Sequence, residues 1–126
     1  MEIALRYELN KIVEISNKIF PTNAPEGKKA PYLVYIVRKR PLKDLDGITK
    51  DRECNLMLNI LCNSYEQMRD ITKKVEDLVI TFPLRTIGAN GPYIEDLTMG
   101  ETSETYENEL KLYRGIITFK ICYKEE

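Results

Sequence analysis

Few residues in this chain could do chemistry, and their spacing argues against most of it. There is no histidine. That removes the commonest general base, the usual partner of a Ser or Cys nucleophile, and the commonest zinc ligand. Of the three cysteines, Cys54 and Cys62 fall on one face of one predicted strand, roughly 27 Å apart at strand rise. That is too far for a disulfide. Cys122 falls in another predicted strand, so the three read as reduced, mostly buried thiols. The carboxylate pairs Asp44 and Asp46, Asp51 and Glu53, and Glu95 and Asp96 lie in polar, turn-rich or strand-edge stretches. A catalytic acid needs burial or a close like charge to shift its pKa, so these read as solvated surface. Gly88, Gly91 and Gly100 form neither a dinucleotide fingerprint nor a phosphate loop. Ser64 has no base in view but has a full account as a helix cap. We assign no catalytic, cofactor-binding or metal-binding residue and expect no enzyme.

One charge constellation stands out. Gly27 to Lys43 holds six basic residues (Lys28, Lys29, Arg38, Lys39, Arg40, Lys43) and no acid, whereas Glu95 to Glu109 holds six acids (Glu95, Asp96, Glu101, Glu104, Glu107, Glu109) and no base. The bland reading is two solvated loops. The sharper one is head-to-tail assembly, with a basic edge meeting the acidic edge of the next copy. Such unlike contacts make rings when the rotation closes, and the charge sets register and partner choice more than affinity. The candidate interface residues are Arg38, Lys39, Arg40, Lys43, Asp46, Gly47, Glu101, Glu104, Glu107 and Glu109.

The elements that must position these residues centre on Arg52 to Phe82. Cys54, Leu56, Leu58, Ile60 and Cys62 alternate with Glu53, Asn55 and Asn59, the period of a strand with one buried face. Ser64 and Gln67 then form a capping box. Met68, Ile71, Val75, Leu78 and Val79 follow at helical spacing, and Pro83 ends the run. Upstream, residues 2 to 19 read as a helix with Leu5, Leu9, Ile12, Val13 and Ile19 inward and Glu8, Lys11, Glu14 and Lys18 mainly opposite. Tyr32 to Arg40 reads as a strand ended by Pro41. Pro41 to Lys50 reads as a long loop with a turn at Asp46-Gly47, expected to be mobile alone and ordered on assembly. Downstream, Tyr93 to Met99 is a short strand, residues 100 to 109 a loop or hairpin end, and Tyr113 to Tyr123 a strand in which Gly115 marks a bulge or a close approach. The expected fold is α+β. It is a mainly antiparallel sheet of about four strands with two helices packed on one face, in the order α-β-β-α-(β)-β.

A chain of 126 residues, 43% hydrophobic, 31% charged and of net charge -1 fits one ordinary domain. The charge balance argues against a general nucleic-acid binder. No apolar run approaches the ~20 residues of a membrane helix, and the N-terminus lacks a signal peptide's pattern, so the expected site of synthesis is inside a cell.

Taken in order, several segments resemble one family. A helix ends at Ile19-Phe20-Pro21, and Ala30-Pro31-Tyr32-Leu33-Val34-Tyr35 opens a strand. Leu45-Asp46-Gly47 precedes a strand of charged start, Arg52-Glu53 through Leu61. The helix from Tyr65 to Leu78 follows. Tyr106-Glu107 and Leu112-Tyr113-Arg114 lead into a last strand ending at Tyr123-Lys124. This arrangement resembles the bacteriophage tail-completion, or tail-terminator, family over nearly the whole chain, 1–126. The resemblance implies a small α+β fold and a hexameric ring at the head-proximal end of a tail. The ring stops tube growth and docks the tail to the head connector, with DNA passing through it. The implied partners are copies of itself, the tail tube and sheath proteins and the neck. The implied location is a virion or phage-tail-like particle made in a bacterial cytoplasm, and there are no catalytic residues to carry over. The rival reading is a small RNA- or ligand-binding module, supported by the basic stretch 28 to 43 with Tyr32 and Tyr35 beside it.

Overall fold

A computed structural model describes residues 2–22, 27, 29–45 and 47–124. The elements are α1 (Glu2–Leu9), a 3-10 turn at Val13–Ile15, β1 (Ile19–Pro21), β2 (Tyr32–Asp44), β3 (Gly47–Cys62), α2 (Tyr65–Val79), β4 (Arg85–Thr86), β5 (Tyr93–Glu107) and β6 (Leu112–Lys124). The strands form one six-stranded sheet in the order β1-β2-β3-β6-β5-β4. β1 pairs with β2 in parallel, and every other neighbour is antiparallel.

This overturns the expectation of about four antiparallel strands with two helices laid over one face. The sheet is mixed, six-stranded and curled into a half-barrel, and strand makes up 51% of the chain. The cause lies in what alternation can register. β1 and β4 span three and two residues, too short for any period. The long strands run past the core as polar ladders, where neither face is apolar.

From Cys54 onward β3 behaves as its pattern predicts. Cys54, Leu56, Leu58, Ile60 and Cys62 are buried together with Leu33, Tyr35, Ile117, Phe119, Ile121 and Tyr123. α2 completes this inner core with Met68, Ile71, Val75 and Val79, and Leu78 packs half-buried beside them. Ser64 caps the helix, its hydroxyl accepting from the Gln67 N–H at 3.2 Å. Gly115 marks a close approach and not a bulge, because the β3–β6 register runs unbroken through it. A Cβ there would lie 2.4 Å from Thr72 Oγ1 and 3.0 Å from Met68 Sδ, so its bareness lets α2 lie directly on β6.

The first helix is much shorter than its apolar spacing predicts. α1 stops at Leu9, and the chain turns through Asn17 at φ 62° into β1. Asn10 Oδ1 accepts from the Asn17 N–H at 2.9 Å and ties the two ends of this turn. Leu5, Leu9, Ile12, Ile15 and Ile19 still all reach the inner core, which is why the spacing mimics a helix. Val13 does not, at 83% exposed.

Glu8, expected on the solvent side, is 1% exposed. Its Oε1 accepts from Arg85 Nη1 at 2.7 Å and from the Gly88 N–H at 3.2 Å. Its Oε2 lies 2.8 Å from Lys11 Nζ, in an ion contact outside hydrogen-bond geometry. Burial alone would raise this carboxyl's pKa, but Arg85, Lys11 and the Gly88 amide outweigh it and hold it below the ordinary 4.5. The cluster ties α1 to the segment around β4.

Pro41 does not end β2, which continues to Asp44 and pairs across a hairpin with β3. Alternation gives the reason. The Leu33 N–H donates outward to the Lys18 carbonyl, and the Tyr35 carbonyl accepts from the Thr22 N–H, each at 2.9 Å. Main-chain groups of odd-numbered β2 residues therefore face away from β3. Pro41 is odd-numbered, so its missing N–H costs the β2–β3 ladder nothing. The expected mobile loop from Pro41 to Lys50 is thus the end of a two-stranded arm. Residues 100 to 109, expected to be a loop or hairpin end, are the end of the β5–β6 hairpin: β5 runs to Glu107, and the turn begins at Asn108.

Candidate assembly surface

Most of each charged stretch folds into one of the two outer margins of one sheet; Lys28 lies outside the described residues. β1 covers β2 only at Leu33 to Tyr35, and β4 covers β5 only at Tyr93 and Ile94. Beyond those short caps, no strand among the described residues pairs with the outer side of β2 or β5. The first margin carries Arg38, Lys39, Arg40 and Lys43, and the second carries Asp96, Glu101, Glu104 and Glu107. β3 and β6 lie between them, so the two sets are not brought together within one chain.

The candidate residues differ in how far their own chain engages them. Arg40 Nη2 reaches Glu53 Oε2 on β3 at 3.1 Å, and the Arg40 hydrogen bond holds the Glu53 carboxyl below its ordinary pKa. Glu104 Oε2 accepts from the Tyr65 hydroxyl at 2.6 Å, which raises that phenol's pKa. Tyr65 also stands edge-on to Tyr113 at 5.9 Å, and Tyr113 to Tyr106 at 4.9 Å. These rings pin the far end of the β5–β6 hairpin to the start of α2. Glu107 accepts from Arg114 Nε at 2.9 Å, and Arg114 Nη1 donates to Asn59 Oδ1 at 2.9 Å. Asn59, which alternation places on a polar face, is buried; only the fold brings Arg114 over it. Glu109 lies in the exposed β5–β6 turn, and Gly47 opens β3 at φ 115°, a conformation that glycine adopts without strain. Asp46 lies outside the described residues.

The remaining features offer little chemistry. Burial pushes the Cys54 and Cys62 thiols up to about 11 and raises Cys122 as well, which makes poor nucleophiles. Among the described residues no group of three or more His, Cys, Asp or Glu is placed to hold a metal. An open hollow of about 610 Å³ beside α1 is bordered by Ile3, Tyr7, Lys39, Tyr93, Tyr123 and Lys124. Its lining has no carboxylate or thiol, so it pairs no acid with a base. Tyr32 and Tyr35, the aromatic support for an RNA-binding reading, are 7% and 2% exposed. Neither ring is available for bases to stack on. No helix among the described residues is long and apolar enough to cross a membrane.

No family model and no curated protein matches the chain. Solved structures do. A chain from the virion of a native gene transfer agent (GTA) particle superposes with a TM-score of 0.66 at 11% identity, covering 93% of this chain and 84% of that one. A second solved structure superposes with a TM-score of 0.57 at 13% identity, covering 100% of this chain and 97% of that one. At such identities the likeness is one of fold.

Proposed function

We propose that this chain is a structural protein of a phage or phage-tail-like particle. In this reading the whole chain, 1–126, is one tail-terminator-like domain. Copies of it form a hexameric ring at the head-proximal end of the tail tube, end tube growth and join the tail to the head connector. The observation that carries the reading is the likeness of fold, over 93% of this chain, to a virion chain, which meets the resemblance of the ordered sequence segments to tail-completion proteins.

The mechanism is contact between surfaces, with no reaction on a substrate. A subunit with two unlike margins makes a heterologous interface, and such an interface closes into a ring when the rotation per subunit divides a full turn. Arg38, Lys39, Arg40, Lys43 and Gly47 belong to one side of that contact, and Glu101, Glu104, Glu107 and Glu109 to the other. The partners are further copies, the tail tube and sheath proteins and the connector. DNA is in contact only as it passes the lumen.

Negative-stain microscopy tests this on two samples, the purified protein and particles from cells lacking it. The expected results are sixfold rings in the first, and overlong tubes without heads in the second. Particles of normal tail length that carry heads without this protein would overturn the reading.

A further inference from the structure

We infer that neighbouring copies join by continuing the sheet. The stretch Ile36 to Arg40 of β2 would pair, main chain to main chain and antiparallel, with Asp96 to Glu101 of β5 in the next copy. The inference rests on the ring reading and specifies its contact.

Strand direction comes first. β3 opposes β2, β6 opposes β3, and β5 opposes β6, so β5 runs opposite to β2. A copy rotated about an axis parallel to the strands keeps these directions, and its β5 arrives antiparallel beside β2. The ladders then fix the height. Arg40 pairs with Glu53, Glu53 with Cys122, and Cys122 with Asp96; Val37 is level, by the same path, with Met99. The uncapped part of one margin therefore lies at the same height as the uncapped part of the other.

Main-chain groups point the right way. Odd-numbered β2 residues face outward, as the contacts of Leu33 and Tyr35 establish. Carrying the alternation across β3 and β6, which have no register shift between them, turns Leu97 and Met99 of β5 outward and Asp96 and Thr98 inward. Bulges bracket the window. β5 shifts register between Ile94 and Asp96 and again between Met99 and Thr102, and β2 shifts between Pro41 and Lys43. A bulge bends its strand. The one at Met99 lets β5 swing clear of the neighbour's β1, which caps β2 just below the window.

Charge selects the pairing. β2 against another β2 sets Arg38 and Arg40 against themselves, and β5 against β5 does the same with Asp96 and Glu101. Only the unlike pair joins opposite signs, so the charges that guard each margin against its own kind admit the other. Half-exposed Ile36 opens the basic window with Met57 beside it on β3, and Met99 lies in the acidic one, which gives apolar area to cover. The window also singles out Asp96 and Glu101, since Glu104 and Glu107 lie beyond it and are engaged by Tyr65 and Arg114.

Sedimentation velocity and thermal melting of the full chain and its variants test the pairing. Met99→Pro removes an outward N–H and should weaken each association step at least about tenfold, with the melting temperature lowered by no more than about 3 °C. Thr98→Pro removes an inward N–H and should instead lower the melting temperature by more than Met99→Pro does. Arg38→Glu, diagonal to Asp96 of the next copy, should weaken assembly, and adding Asp96→Lys to the same chain should restore it in part. That charge swap decides the matter even if the proline variants do not fold. A wild-type protein that stays monomeric at high concentration and low salt would overturn the pairing, as would Met99→Pro and Arg38→Glu variants that assemble like wild type. Neither result would touch the particle role, which fails separately if particles lacking the protein are normal.

Discussion

Replacing Arg85 by Met isolates the buried carboxylate at Glu8. The substitution keeps an apolar stem and removes the 2.7 Å contact to Oε1, leaving Glu8 with Lys11 and the Gly88 amide. Breaking a fully buried ion pair from one side costs about 3–5 kcal/mol. The Arg85 side chain is 35% exposed and that of Lys11 55%, so water screens part of the charge, and the expected loss is about 2 kcal/mol. For a chain of this length each 1 kcal/mol moves the midpoint by roughly 4 °C, so melting should fall by about 8 °C. The double variant Glu8→Leu/Arg85→Met removes both charges and should recover much of the loss, because an apolar pair leaves nothing unsatisfied. The pH dependence has a fixed sign. Glu8 titrates below its ordinary 4.5 in the fold, so its contribution is full above that value and drains away as pH falls through the lower folded one. The Arg85→Met variant should lose stability less steeply with acid than wild type does. Circular-dichroism melts from pH 7 to pH 3 measure all of this. A shift under about 2 °C for Arg85→Met, or a double variant no more stable than the single, would refute the idea that this node joins α1 to the β4 segment.

Gly115→Ala should lose about 1–3 kcal/mol, because its Cβ meets Thr72 and Met68 on α2; a denaturant titration with unchanged slope measures it, and a neutral result would mean that α2 can lift off β6 freely. Native protein at pH 8 should react with a thiol reagent first at Cys122, which is half-buried, while Cys54 and Cys62, buried and titrating near 11, should react only on unfolding. Three equally fast thiols in the native state would contradict the packing of the inner core. Ser64→Ala should cost about 1 kcal/mol through loss of the α2 cap, visible as a small drop in melting midpoint, and no drop would mean that water replaces the cap at no cost.

Local patterns by themselves determined the elements whose two faces differ. β3 and β6 were legible because each alternates apolar and polar residues against a single core. α2 was legible because its stripe, its cap at Ser64 and its stop at Pro83 agree. The opposed charge of the segments 28 to 43 and 95 to 109 was also in the sequence. Tertiary structure alone decided where the elements end and what meets what. Hydrogen bonds, not side-chain period, carry β1, β4, the β2–β3 arm and the outer half of β5, so those strands left no apolar signature. Pro41 reads as a stop until β2 is known to be a margin on which that position faces away from β3, where an N–H is not needed. Glu8 reads as solvated until Arg85, 77 positions along the chain, is folded against it. The placing of the basic and acidic stretches on opposite margins of one sheet depends on the strand order, which no window of sequence contains, because it is set by pairings between residues far apart in the chain.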